Sequence, residues 1–84
     1  MNIGDLGRMF LYLPVKQQLY QEDLGKYISY GIAAWELPTM QRTPCIFVSD
    51  VTQDRKAIKH LSWQCTVGQL DPKQLEDVVE DFLP

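Results

Sequence analysis

The segment from Leu70 to Phe82 constrains the fold most, because it sets the start and the register of a helix almost residue by residue. Asp71 reads as the N-cap, Pro72 as the first helical residue and Gln74 as the third, which completes an Asp-x-x-Gln capping box. Leu70 and Leu75 take the two places of a hydrophobic staple. Leu75, Val78, Val79 and Phe82 then recur at i, i+3, i+4 and i+7, so one face of the helix is apolar. Burying those four side chains would contribute about 6–12 kcal/mol gross, most of it offset by the entropy of ordering the chain. Glu76, Asp77, Glu80 and Asp81 occupy the opposite, solvent side.

A second helix precedes this one. Thr52 is the expected N-cap, with Gln53 and Asp54 in the first turn. The helix runs to about Val67, with Ala57, Ile58, Leu61 and Cys65 on one stripe. Gly68 ends it as a C′ residue in the left-handed region.

The first half of the chain alternates with the period of strands. Residues 27–36 form the best of them: Ile28, Tyr30, Ile32 and Ala34 line one face, the natural core face. Tyr27, Ser29, Gly31, Ala33 and Trp35 line the other. Gly31 marks a bulge or a close aromatic neighbour. Residues 15–21 read as a half-polar strand, and Glu22, Asp23, Leu24 and Gly25 as a turn in which Gly25 takes a positive φ. Residues 9–13 are continuously apolar, either a buried strand or a segment covering another element. Pro14 interrupts them in a way that suits an edge or a bend. Residues 37–44 form a loop bounded by Pro38 and Pro44, and residues 45–48 a short strand of the same sheet.

The expectation is an α+β fold in the order β-β-β-α-α: a three-stranded, mainly antiparallel sheet with a C-terminal helical hairpin packed on one face. Residues 9–49 form the sheet and residues 52–83 the hairpin, with residues 1–8 loose. With 84 residues the chain is one domain, since a second core could not be filled.

Charge excludes several functions. The net charge is −3, from 8 basic and 11 acidic residues. The last helix carries one lysine, Lys73, against four acids, so a helix–turn–helix reading fails by repulsion from phosphates. No nucleic-acid partner is expected. No apolar run approaches the roughly 20 residues of a membrane span, and Pro14 and Lys16 end the residue 9–13 run too early for a signal peptide. The expected location is the cytoplasm, away from membranes.

Catalytic and metal-binding patterns are missing as well. Cys45, His60 and Cys65 are the only soft ligands besides methionine, and His60 and Cys65 lie about 140° apart around their helix. Neither a zinc site nor a Cys/His nucleophile pair is expected, and Cys65 reads as a small buried hydrophobe. The five glycines form no phosphate loop. The carboxylates of the last helix face solvent instead of a cleft, so they suit a docking surface better than acid–base work. No enzyme activity and no cofactor is therefore expected. Trp63 sits opposite the apolar stripe of its helix, where it is either covered by residues 9–13 or stacked on Lys59, or exposed as an anchor for a partner. Tyr27 and Trp35 pose the same question on the far face of the sheet.

The string Tyr30-Gly31-Ile32, the segment 50–55 and above all the terminal Leu-Asp-Pro cap leading to Asp77-Val78-Val79-Glu80-Asp81-Phe82 resemble a family of small proteins. That family, from Clostridia-type Gram-positive bacteria, is a domain of unknown function, and the likeness covers roughly residues 15–83. The resemblance implies a stand-alone bacterial cytoplasmic domain and brings no catalytic residue. The functional expectation is a non-catalytic interaction or regulatory module with an unidentified protein partner or a second copy of itself. Its candidate surface comprises Tyr27, Trp35, Trp63, Glu76, Asp77, Glu80 and Asp81. The alternative is a small-molecule binder or minor enzyme with a pocket between sheet and helices, near Cys45, His60 or Tyr30.

Overall fold

The computed structural model describes residues 9–38 and 41–83; residues 1–8, expected to be loose, lie outside the described residues. Three strands, β1 (Met9–Gln21), β2 (Gly25–Leu37) and β3 (Ile46–Thr52), form one antiparallel sheet in the order β1-β2-β3. Helix α1 (Arg55–Val67), a 3₁₀ turn (Pro72–Gln74) and helix α2 (Leu75–Phe82) follow. The α+β arrangement of a three-stranded sheet with a helical hairpin on one face is therefore observed.

Alternation decides which residues meet the helices. Tyr30, Ile32 and Ala34 of β2 face them together with Phe10 and Tyr12 of β1 and Ile46 and Val48 of β3. Ile58, Leu61 and Cys65 of α1 and Leu75 and Val79 of α2 close the core from the other side. Ile28 shares the core face of β2 but is 43% exposed, because it lies on the part of the hairpin that runs beyond the helices. The molecule is correspondingly long, 54 × 27 × 19 Å, with a radius of gyration of 14.2 Å, against about 12 Å for a compact chain of this length.

Pro14 does not break the first strand. β1 continues through it, paired with Ile32, because Pro14 sits on an edge strand where its missing N–H is not needed by β2. The turn closes with a Leu24 N–H to Gln21 carbonyl bond of 3.0 Å, and Gly25 follows at φ 73 as expected.

Three boundaries differ from expectation. β3 extends past Val48 to Thr52, so Thr52 is a strand residue and not the cap of α1. Asp54 holds that place, its carboxylate accepting from the N–H of Lys56 (3.0 Å) and Ala57 (3.2 Å), while the Thr52 hydroxyl accepts from the Asp54 N–H. At the other end of α1, Gly68 is right-handed (φ −78), and Gln69 takes the left-handed position at φ 48. The Leu70 N–H then reaches the Cys65 carbonyl at 3.0 Å, the long bond of a Schellman ending. Asp71 does cap, but what it caps is the 3₁₀ turn, accepting from the Lys73 N–H at 3.0 Å. Gln74 makes no side-chain cap bond, so the reciprocal half of the capping box does not form. The apolar stripe of α2 stands: Leu75 and Val79 are buried, Val78 and Phe82 half-buried.

Candidate functional site

With both helices on one side, the other side of the sheet is left uncovered by any described element. The odd-numbered residues of β1 and β2 project there: Leu11, Leu13, Val15, Gln17 and Leu19 opposite Trp35, Ala33, Gly31, Ser29 and Tyr27. Phe47 of β3, paired with Ala33, joins them. Leu13 is 36% exposed and Phe47 44%; Leu11, Val15, Leu19, Tyr27 and Trp35 are half-buried. The end bearing Leu11, Leu13, Trp35 and Phe47 is apolar, and the end bearing Tyr27 is polar.

The polar end is built around an irregularity. The β2–β3 register shifts between Tyr30 and Ile32, and Asp50 turns to φ 55. Gln17 reaches across β2 from β1: its Oε1 accepts from the Asp50 N–H at 2.8 Å and its Nε2 donates to Ser49 Oγ at 3.0 Å. The Asp50 carboxylate accepts from the Ser29 hydroxyl (2.6 Å) and the Tyr27 hydroxyl (3.1 Å). Desolvation, helped by that carboxylate, pushes the Tyr27 phenol above its ordinary range. Gly31 makes room for this crossing. A Cβ there would stand 2.5 Å from the Val48 carbonyl oxygen and 2.8 Å from Phe47 Cε1, so the bulge and the aromatic neighbour are both present.

The cluster is not nucleophilic. Ser29 is fully buried and donates to a carboxylate, with no imidazole between them, while His60 is exposed on α1. The bonds hold a left-handed aspartate in a bulge, and that is a structural role.

The expected surface residues do not form one patch. Tyr27 and Trp35 share the open sheet face at its two ends. Trp63 is 65% exposed on α1, with Val67 near it at i+4 and 63% exposed; residues 9–13 pack against other positions of that helix. Glu76, Asp77, Glu80 and Asp81 are exposed on α2, away from both. Leu11, Leu13 and Phe47 join Tyr27 and Trp35 on the open face, outside the residues that the sequence pattern singles out. Their alternation with Phe10, Tyr12 and Ile46 was the available signal, masked in residues 9–13 because both faces of that strand are apolar.

Two clefts lined by described residues flank the sheet. One, about 420 Å³, lies at the β2–β3 connection and includes Trp35, Leu37, Pro44 and Cys45, whose thiol points to the Ala34 carbonyl at 3.2 Å. The other, about 300 Å³, lies on the helix side and is lined by Pro14, Lys16, Tyr30, Arg55 and Lys59, with no carboxylate in its wall. His60 lines neither cleft. Burial pushes the Cys65 thiol above its ordinary value, as suits a packed cysteine. Among the described residues no three His, Cys, Asp or Glu side chains are placed to hold a metal ion. No helix among them is long and apolar enough to cross a membrane.

Comparison with known proteins finds no matching family model, no matching curated protein and no matching solved structure.

Proposed function

We propose that this chain is a non-catalytic interaction module that docks a flat, largely apolar protein surface on the open face of its sheet. The observation that carries this reading is the uncovered apolar end of that face, with Leu13 and Phe47 both more than a third exposed. A sheet apolar on both faces gains by burying both, and among the described residues helices cover only one. The polar end adds hydroxyl and amide groups around the Asp50 carboxylate, and an apolar centre with a polar margin is the usual anatomy of a protein interface. The resemblance to small clostridial proteins fits a bacterial cytoplasmic setting for such a module. To test it, a photo-crosslinking residue is placed at position 13 and the protein is irradiated in cells. A discrete protein adduct at position 13, missing when the crosslinker replaces Glu80, is the expected result. No adduct at position 13 or at 47 would refute the reading.

A second reading rests on the cleft of about 300 Å³ whose wall brings together Lys16, Arg55 and Lys59 with the Tyr30 phenol. Three cations and no carboxylate suit a small polyanion such as a phosphorylated metabolite. A thermal-shift titration with pyrophosphate tests it: saturable stabilisation lost in Lys59→Gln supports the site, and a flat response removes it.

A further inference from the structure

We infer that the occupant of the open sheet face is a second copy of this chain, packed face to face about a twofold axis. The inference rests on the interaction-module reading and names its partner. Three observations favour a copy of the same chain.

The first concerns the edge. An exposed edge strand is the other route by which sheets associate. Over the first part of β1 that route is closed. The Phe10 N–H and carbonyl are bonded by the Gln69 side chain (2.8 and 3.0 Å), the Tyr12 N–H and carbonyl by the Thr66 hydroxyl (2.9 and 3.3 Å), and Pro14 has no N–H to offer. Association through this part of the sheet must use the face.

The second is charge. A twofold interface sets a patch against itself, residue i on j and j on i, so a patch carrying charge of one sign would repel its own copy. Along the rows of this face, from Leu11 to Leu19, from Tyr27 to Trp35, with Ser29, Gly31 and Ala33 buried beneath their neighbours, and at Phe47 and Ser49, no side chain is charged. The one carboxylate at the margin, Asp50, already accepts two hydroxyl bonds. The chain as a whole carries −3, yet none of that charge falls on this face except Asp50. A patch for a charged partner would carry the opposite charge; this one carries only the Asp50 carboxylate at its margin, as suits a face set against its own copy.

The third is area. Two thirteen-residue strands and one of seven, at about 3.4 Å per residue and about 4.8 Å apart, give a face of roughly 540 Å². Two such faces bury about 1,100 Å² in total, just under the range of stable specific interfaces and within that of weak, reversible ones. The dimer should therefore be of micromolar affinity, not an obligate one. It also completes the layering: the 19 Å thickness of the protomer is one sheet and one helical layer, and two protomers make a four-layer sandwich with both sheets inside.

The experiment is sedimentation over a concentration series from about 1 μM to about 1 mM, bracketing the expected Kd. The mass should rise from 9.7 kDa toward twice that value. Leu13→Lys should weaken association at least about tenfold, since it buries a charge against its own copy. Trp63→Phe should leave association unchanged, and in that background Trp35 emission should shift to the blue with the same midpoint. If Leu13→Lys fails to fold, the Trp35 shift decides the question by itself. A mass of 9.7 kDa throughout would overturn the inference, as would a dimer indifferent to Leu13→Lys with no Trp35 shift. If position 13 then crosslinks in cells to a different protein, the interaction-module reading survives without this partner; if it crosslinks to nothing, both fall.

Discussion

Gly31 is where three strands negotiate the least space. Its missing side chain lets the Phe47 ring and the Gln17 amide cross β2 and lets the Val48 carbonyl come close. Two of those neighbours can move, but the carbonyl belongs to the β3 backbone and cannot. Gly31→Ala should therefore cost about 1–3 kcal/mol by overpacking, measured by urea unfolding, and it should speed amide exchange at Asp50. A neutral substitution would mean that the bulge is softer than its bonds suggest. Tyr12 makes a different kind of demand. Burial pushes its phenol well above the ordinary 10.0, with the Cys65, Cys45 and Asp71 charges adding to the effect, and its hydroxyl donates to the Leu70 carbonyl at 2.6 Å. The folded state thus holds this proton more tightly than the unfolded state. Its contribution is fully present below pH 10 and is lost as pH rises through the folded value. Unfolding free energy measured by urea should be level near neutrality and fall above about pH 10, beginning somewhat earlier because the Cys65 thiol is also raised from 9.0. In Tyr12→Phe the steep part of that fall should disappear and leave the shares of Cys65 and Tyr27, whose protons the fold also holds more tightly.

The clearest relation between elements is the clamp of α1 on the edge of β1. Thr66 and Gln69 are four and one residues before Leu70, and each spans the same strand with a donor and an acceptor. Gln69 sits at φ 48, a conformation costing a non-glycine residue about 1–2 kcal/mol, and its two bonds to Phe10 and one to the Thr66 carbonyl offset that cost. Thr66→Val keeps the shape and removes the hydroxyl. It should cost about 1–2 kcal/mol, and the Tyr12 amide should exchange faster while core amides of β2 change only with global stability. An unchanged Tyr12 amide would show that water replaces the hydroxyl without loss. At this scale the elements themselves were legible: alternation in residues 27–36 and the i, i+3, i+4, i+7 stripe of Leu75, Val78, Val79 and Phe82 name their own periods. Boundaries were less so. Ser49, Asp50 and Thr52 are all good caps in isolation, yet tertiary pairing with Tyr30 and the bonds from Gln17 and Ser29 keep them in β3, leaving the cap to Asp54. No local signal separates those outcomes, because the partners that decide lie more than 20 residues away. The open face was half legible. Tyr27 and Trp35 were on it, but the continuous apolar run at residues 9–13 hid the alternation that places Leu11 and Leu13 beside them.

For the whole molecule, the open face turns stability into a question of concentration. A chain of 84 residues buries only about 60–65% of its unfolded surface, and here Leu13 and Phe47 on one side of the sheet stay more than a third exposed. The long hairpin adds to the deficit: Tyr20, Leu24 and Ile28 are 70%, 63% and 43% exposed where it runs beyond the helices. If two copies cover each other's sheets, the dimer binds the folded state and not the unfolded one, so the apparent Tm must rise with protein concentration. A two-state monomer, in contrast, melts at one temperature regardless of concentration. Each tenfold increase above the dissociation constant adds up to about 1.4 kcal/mol per dimer, which for a domain of this size corresponds to a shift of a few degrees. The expected outcome by calorimetry is a Tm that climbs across the range where sedimentation finds the dimer, and a Leu13→Lys protein whose Tm is level over the same range. A wild-type Tm independent of concentration would show that the sheet stands uncovered in solution, its stability supplied by the helical side alone.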